Sequence, residues 1–319
     1  MRGSQHYLAA REGALVLQAR LGSDVRIQTL EYGERLSLGD VTVSLHPAGH
    51  ILGSAQVRIE RGGETWVVTG DYKTASDPTC SSFEPVTCHT LVTESTFGLP
   101  VYRWDAPEIT FSQINAWWQA NAEAGTASVL FAYSVGKAQR LVSGLDPSIG
   151  PIFCHGTVER MNQLYRESGV VLPETLYAGA ADEPRRWRGA MVIAPLSARG
   201  SPWMRRFGEH STAFASGWMR IRGARRRRSV DRGFVLSDHA DWPALIDAIE
   251  SSGAERVLVT HGTVDPLVRW LNENQTRAAP LPTPFRGELD ESAEPESAEF
   301  ESTEPEREAE RERDREAEP

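Results

Sequence analysis

Five short apolar segments of this chain each end in a residue that can bind a metal ion or transfer a proton. Their β-branched residues, bounded by Gly, Asp or Ser, predict buried strands. In layered α/β proteins, ligand sites lie beyond the carboxyl ends of the strands. The sequence therefore predicts one site built from several strand ends. The segments are VTVSLHPAGH, ending at His50; TWVVTGD, at Asp71; TLVTE, at Glu94; FVLSDH, at His239; and RVLVTH, at His261.

Segments with helical periodicity separate these strands. The clearest, residues 107–125, begins with proline and ends with glycine, as helices tend to. Asp241 is predicted to cap the helix that follows it. Similar periodicity predicts helices over 134–141, 158–168, 241–251 and 264–274. This alternation predicts an α/β protein whose sheets are covered by helices.

Two of the strand ends indicate metal ligands. His50 follows its strand in a turn that contains Gly49 and Gly53, which permit tight backbone geometry. His46 is the alternative ligand on the same turn. Asp71 follows a buried strand, where it either caps the next turn or binds metal. Because a carboxylate can bridge two cations, Asp71 suits a dinuclear site.

Glu94 and His239 indicate proton transfer rather than metal binding. A histidine that protonates a leaving oxygen needs a carboxylate to hold its other ring nitrogen, and these residues could form that couple. The sequence alone does not show that they touch. His261 ends the last strand, and Gly262 lets the chain turn away from the site.

Basic residues suggest contacts to a polyanion. Lys137 lies at a predicted helix start, where free N–H groups and a cation can hold phosphate, although an ordinary helix start is the alternative. The arginine run at Arg225, Arg226, Arg227 and Arg228 suits a nucleic-acid backbone, with a solvated basic face as the alternative.

The acidic residues concentrate in one segment. Residues 287–319 hold 15 acidic and 4 basic residues, which leaves 29 acidic and 30 basic residues in the rest of the chain. Such a Glu/Pro/Ser-rich segment cannot bury enough apolar surface to fold, so it predicts a disordered tail. A nucleic-acid mimic is the alternative.

Three cysteines, no signal peptide and no apolar run of membrane-spanning length predict a cytoplasmic protein without a membrane partner.

Taken in order, these motifs resemble the β-CASP branch of the metallo-β-lactamase superfamily. Longer stretches, such as GDYKTASDPTCSSFEPV and TESTFGLPVYRW, are similar to its DNA-ligase-associated exonucleases. The matching motifs are AGHILGSA (48–55), TGDY (69–72), TESTFG (93–98), FAYSVGKAQR (131–140), SDHAD (237–241) and VTHG (259–262).

The resemblance implies a metallo-β-lactamase αβ/βα sandwich with an inserted β-CASP α/β domain. Residues 1–101 and 229–278 would form the sandwich, residues 102–228 the insertion, and residues 279–319 the disordered acidic tail. The superfamily's H-x-H-x-D-H motif does not occur in the chain. We therefore expect a chain truncated before Met1, without the leading strands of the fold.

The resemblance also implies roles for single residues. His50 and His261 would each bind one of two divalent metal ions, zinc or manganese, and Asp71 would bridge them. His239 would be the general acid, oriented by Glu94. The implied activity is DNA exonuclease action in repair, in association with an ATP-dependent DNA ligase and a helicase.

Three other functions stay open at this point. An RNA-processing β-CASP nuclease would use the same residues, with specificity from the 2′-hydroxyl. A non-catalytic nucleic-acid-binding remnant is the second, because three ligands are few for a two-metal site. A small-substrate hydrolase is the least favoured, since it would not need the insertion or the arginines.

Overall fold

The computed structural model describes residue 4 and residues 6–180, 184–221 and 230–283. The arginines predicted at 225–228 lie outside these residues, as does the acidic segment from 284 onward. Within the described ranges, the strands are β1 (His6–Ala10), β2 (Arg26–Leu30), β3 (Arg35–Leu38), β4 (Val41–Pro47), β5 (Ala55–Arg61), β6 (Glu64–Val68), β7 (Thr90–Ser95), β8 (Ala127–Phe131), β9 (Ile152–Cys154), β10 (Leu176–Tyr177), β11 (Met191–Ala194), β12 (His210–Ala215), β13 (Arg232–Phe234), β14 (Arg256–Gly262) and β15 (Arg277–Pro280).

Five of the helices described here lie close to predicted positions, whereas α1 was not predicted. In the described part of the chain they are α1 (Ala14–Leu21), α2 (Pro107–Glu123), α3 (Lys137–Ser143), α4 (Gly156–Glu167), α5 (Trp242–Ser252) and α6 (Val264–Glu273). Asp241 caps α5 as predicted, because its Oδ1 accepts a hydrogen bond from the Ala244 N–H at 3.0 Å. Among the described residues, no helix has both the length and the apolar character that crossing a membrane requires.

A seven-stranded mixed sheet carries most of the predicted strand ends. Its order is β15-β14-β7-β6-β5-β4-β3, with β6, β7, β14 and β15 parallel and the remaining pairs antiparallel. Trp242 and Ile246 of α5 and Leu267 of α6 pack against Val67 and Val257 of this sheet. Because β6, β7 and β14 run in the same direction, the residues at their carboxyl ends lie along one edge. A separate pair, β1 and β2, is parallel.

A second sheet is entirely parallel, with the order β10-β9-β11-β8-β12-β13. One face packs against apolar residues of α2, α3 and α4, and the other against Trp187, Met204 and Phe207. Its strands occupy residues 127–234, so this sheet extends past the predicted end of the insertion at 228. At the other boundary, β15 continues to Pro280, so strand structure extends into the segment predicted to be disordered from 279.

Among the five predicted strand ends, the one at His239 differs most from the structure. The strand β13 ends at Phe234, so the five residues from Val235 to His239 lie outside the ladder. In this segment the Ser237 carbonyl accepts a hydrogen bond from Arg140, and the Asp238 carbonyl accepts one from His50. Side chains from elsewhere in the fold therefore take the place of strand partners.

Candidate metal and catalytic site

The edge of the seven-stranded sheet brings three predicted residues together. Asp71 follows β6, Glu94 lies near the end of β7, and His261 lies near the end of β14. The His261 Nε2 atom is 2.8 Å from Asp71 Oδ1, although 190 positions separate the two residues. The other ring nitrogen of His261, Nδ1, is 2.6 Å from Thr260 Oγ1. Parallel strand direction is what collects these side chains at one edge.

His50 reaches the site from the turn after β4. Gly49 has a φ of +71°, and a Cβ at this position would lie 2.3 Å from the Lys73 carbonyl oxygen, so only glycine fits. The His50 Nδ1–H donates to the Asp238 carbonyl at 2.8 Å. This bond leaves Nε2 as the ring nitrogen that can bind a cation. Burial and the neighbouring His239 lower the pKa of His50, which favours the neutral, metal-binding form.

The carboxylate of Asp71 is held in its charged form. Burial works to raise its pKa, but the hydrogen bond from His261 and the nearby His239 and His50 lower the pKa below its ordinary value. Its side chain is 25% exposed, in contrast to the fully enclosed carboxylate of Glu94. Asp71 therefore offers charged oxygen atoms at the open side of the site.

Glu94 and His239 form the couple that the sequence suggested. Both Glu94 oxygens lie 3.0 Å from His239 Nδ1. The same carboxylate accepts hydrogen bonds from the backbone N–H groups of Tyr72 at 2.7 Å and Thr96 at 3.3 Å. The rings of His50 and His239 are 4.6 Å apart between centroids. The structure thus shows the contact, while the catalytic role of the couple stays a prediction.

The donor atoms fit a divalent cation. Among the described residues, two groups have ligand atoms that all lie within 4.8 Å of one another: His50, Asp71 and His239, and Asp71, Glu94 and His261. Asp71 belongs to both groups, as a bridging carboxylate would. Imidazole and carboxylate ligands without sulfur are compatible with zinc or manganese.

The alternative ligand His46 is engaged elsewhere. Its Nδ1 lies 3.0 Å from Glu84 Oε1, and its Nε2 lies 3.1 Å from Ser44 Oγ. It belongs to neither candidate metal group of the described chain. These contacts favour His50 as the ligand from this turn.

A cleft of about 250 Å³ gives access to the candidate metal ligands. Its lining includes His50 and Asp71 together with Val16 and Arg20 of α1. The cleft therefore reaches two members of one candidate metal group. The exposed Arg20 is a positive charge at this opening that the sequence patterns did not single out.

Lys137 is less accessible than a surface phosphate contact would be. Its side chain is 2% exposed, and its Nζ lies 3.7 Å from Asp238 Oδ2 and 4.7 Å from the centroid of the Tyr133 ring. The 3.7 Å separation is beyond hydrogen-bonding distance, so charge attraction rather than a hydrogen bond holds the ammonium group. A nucleic-acid contact by Lys137 stays a prediction.

The sequence patterns missed several buried charges behind His50. Arg140 lies one helical turn after Lys137 on α3, and its Nη1 is 3.3 Å from Asp238 Oδ1. Lys73 and Asp77 form a further buried ion pair. The three-residue spacing of Lys137 and Arg140 places both on one helix face, which was the only local signal. Their carboxylate partners come from distant parts of the chain.

These histidines and carboxylates define a candidate metal-binding site in an α/β protein. No family model matches the chain. The chain is 32% identical over 267 residues to a probable DNA ligase of Opitutus terrae, covering 83% of this chain and 26% of that protein. It is 26% identical to endoribonuclease YSH1 of Gibberella zeae, covering 58% of this chain and 23% of that protein.

A solved structure has a similar fold. It is a protein of unknown function from Enterococcus faecalis V583, with a TM-score of 0.58 and 11% sequence identity, covering 88% of this chain and 74% of that protein. Together, the ordered motifs, the site and the relatives show that the chain belongs to the β-CASP branch of the metallo-β-lactamase superfamily. The chain spans about a quarter of the length of the curated relatives named above.

Proposed function

We propose that this chain is a metal-dependent nuclease that hydrolyses phosphodiester bonds of DNA. The observation that carries the proposal is the position of Asp71. Its ligand atoms lie close to those of His50 and His261, and the Glu94–His239 couple stands beside them. A cation site next to a carboxylate-oriented histidine is what hydrolysis of a poor leaving group requires.

The proposed ligands are His50, Asp71 and His261, with Asp71 bridging if two ions bind. When bound, zinc or manganese would supply Lewis-acid stabilisation of the negative charge that develops on the phosphate. Glu94 accepts three hydrogen bonds and is almost fully buried, which favours an orienting role over a place among the ligands. His239 would give a proton to the departing oxygen while Glu94 holds its Nδ1.

The relatives support a DNA substrate more strongly than an RNA substrate. The relative named as a probable DNA ligase has the higher identity and matches more of this chain, which favours DNA. In that relative the similar segment is one part of a longer protein, which supports a functional association with an ATP-dependent ligase. Exonuclease action, a role in repair and a helicase partner are further parts of this proposal.

The second candidate is an RNA-processing nuclease. Endoribonucleases from several fungi match 38% to 58% of this chain, and their similarity favours an RNA substrate. The arginines at 225–228 would contact the phosphate backbone of either nucleic acid, whereas the buried Lys137 is a weaker candidate for such a contact. Binding that weakens with salt, without any cleavage, would instead support a non-catalytic binding protein.

A cleavage assay separates these functions. DNA and RNA of one sequence, each labelled at one end or the other, would be incubated with the chain and manganese. We expect the DNA to be shortened from an end, and Asp71→Asn to abolish this activity while Asp247→Asn, on the exposed surface of α5, preserves it. If only the RNA is cleaved, the substrate of this nuclease is RNA and not DNA. Absence of cleavage of both would contradict the nuclease activity.

A further inference from the structure

Five charged side chains form one cluster directly behind His50. They carry three positive and two negative charges, and their exposed fractions lie between 2% and 6%. We call this set the buried ion cluster. Charges at such depth are stable only when they are paired and hydrogen-bonded. Its members are Lys73, Asp77, Lys137, Arg140 and Asp238.

Arg140 is the only member of the cluster that contacts both carboxylates. Its Nε is 3.3 Å from Asp77 Oδ2, and its Nη1 is 3.3 Å from Asp238 Oδ1. Each carboxylate also has a lysine of its own: Lys73 pairs with Asp77 at 2.5 Å, and Lys137 lies 3.7 Å from Asp238. Removing the charge of Arg140 would therefore leave two balanced pairs. The specific contribution of Arg140 is to join them.

Arg140 also holds the backbone that supports both histidines of the site. Its Nη1 donates to the Ser237 carbonyl at 2.5 Å. The next carbonyl, that of Asp238, accepts the Nδ1–H of His50, and Ser237 Oγ accepts the backbone N–H of His239 at 3.1 Å. The segment from 237 to 239 lies outside any strand, so side-chain contacts must fix its position.

The other end of the cluster supports the His50 turn. The Lys73 backbone N–H donates to the Ala48 carbonyl at 3.1 Å, and the Lys73 carbonyl packs against Gly49. Just before α3, a Cβ at Gly136 would lie 2.1 Å from Ile51 Cγ2, which shows how closely the start of this helix approaches the same turn. The cluster thus connects α3 with the turn that carries His50 and with the segment 237–239 that His50 contacts.

We propose that Arg140 is a positioning residue for the metal site. By holding the Ser237 carbonyl and the Asp238 carboxylate, it fixes the residue whose carbonyl keeps His50 Nδ1 protonated and leaves Nε2 available to a cation. Partners of this kind set the tautomer and direction of metal-binding histidines. The metal part of this inference rests on the proposed function, whereas the tautomer of His50 can be measured without any metal.

The test compares Arg140→Met with Arg166→Met in the full chain. Arg166 is the control, because like Arg140 it binds a carboxylate and a backbone carbonyl, but it lies in the contact between α4 and the 173–175 segment. Long-range ¹H–¹⁵N correlation spectra would report the His50 tautomer, assigned with His50→Gln. Calorimetric titration with manganese would report the dissociation constant.

We expect Arg140→Met to be folded, which cooperative unfolding in denaturant would show. It should lose the single Nδ1–H tautomer of His50, and its manganese dissociation constant should rise on the order of 10-fold. Arg166→Met should retain the tautomer and the affinity. Arg140→Lys keeps the charge without the planar fork that spans three acceptors, so it should also weaken binding. It serves as the test variant if Arg140→Met does not fold.

Two results would overturn the inference. One is a wild-type tautomer and affinity in the Arg140 variants. The other is equal losses in the Arg140 and Arg166 variants, which would indicate a purely structural role. If the wild-type chain binds no manganese, the proposed function fails, and the tautomer comparison still decides the role of Arg140.

Discussion

Two carboxylates at the ends of neighbouring parallel strands occupy opposite environments. Asp71, after β6, is 25% exposed and contacts the Nε2 of His261. Glu94, near the end of β7, is fully enclosed and accepts hydrogen bonds from two backbone N–H groups and from His239. The two strands run side by side, so strand position does not explain the difference.

Carboxylates at the ends of neighbouring strands can thus serve two kinds of chemistry, metal binding and the orientation of a histidine. A carboxylate whose oxygens are occupied by three donors has little capacity left for a cation, but it can hold a histidine in one orientation. A carboxylate with one histidine partner and an open side can accept a metal ion. On the proposed function, this difference favours Asp71 as a metal ligand and Glu94 as the residue that orients His239.

Replacing Asp71 should have the largest effect. Asp71→Asn keeps the shape of the side chain but removes the charge, and a metal ion supplies several kcal/mol of transition-state stabilisation. We expect cleavage to fall by more than about 10³-fold, because this energy corresponds to several powers of ten in rate. Single-turnover cleavage would measure the change. If Asp71→Asn lowers the cleavage rate no more than Asp247→Asn does, Asp71 is not part of the catalytic site.

The general-acid role of His239 predicts a dependence on the leaving group. His239→Gln should reduce DNA cleavage on the order of 10³-fold, within the range typical of proton-transfer catalysis. A nitrophenyl phosphodiester needs no proton on its leaving oxygen, so its hydrolysis should fall far less. Parallel rate measurements on both substrates would test this. Equal losses would indicate that His239 binds metal instead.

Glu94 offers a smaller and more selective effect. Glu94→Gln should lower the turnover number by about 100-fold, because a neutral amide no longer stabilises the protonated His239. The manganese dissociation constant should stay unchanged. Calorimetry beside steady-state kinetics would separate the two quantities. A clear loss of metal affinity would place Glu94 among the ligands and remove the contrast with Asp71.

The buried ion cluster predicts a modest effect on stability in acid. Burial opposes ionisation of Asp238, but Lys137, Lys73 and Arg140 lower its pKa to about 2. Since its unfolded value is near 3.9, the folded state binds fewer protons. Its contribution of about 2 kcal/mol is therefore complete above pH 4 and is lost as the pH falls toward 2.

Urea unfolding at several pH values would measure this contribution. The difference in unfolding free energy between the wild type and Asp238→Asn should be constant above about pH 4 and shrink below it. Asp247→Asn, on the exposed face of α5, is the control. A difference that does not change with pH would argue against a charged Asp238 in the folded protein.

Sequence patterns predicted much of the α/β layout and of the site. Hydrophobic periodicity placed five helices within a few residues but missed α1, and strand ends gave Asp71, Glu94 and His261 their common edge. Such features are local or follow from parallel strand direction, so they can be inferred without knowing the tertiary structure. The contact between Glu94 and His239 was suggested by their chemistry, but its 3.0 Å geometry required the fold.

The buried ion cluster could not be predicted in the same way. Asp77 and Arg140 lie on different units of the fold, and no spacing rule relates a loop after β6 to a helix of the second sheet. The end of β13 could not be predicted either, because the carbonyls of residues 237–238 bond to Arg140 and His50 from distant parts of the chain instead of to a neighbouring strand. Tertiary contacts override local strand preference there.

The most direct test of the account is calorimetric titration of the chain with manganese and zinc, beside Asp71→Asn and Asp247→Asn. We expect at least one saturable metal ion per wild-type chain, loss of this binding in Asp71→Asn, and wild-type affinity in Asp247→Asn. Absence of binding in the wild type, or equal affinity in all three proteins, would contradict the assignment of His50, Asp71 and His261 as metal ligands.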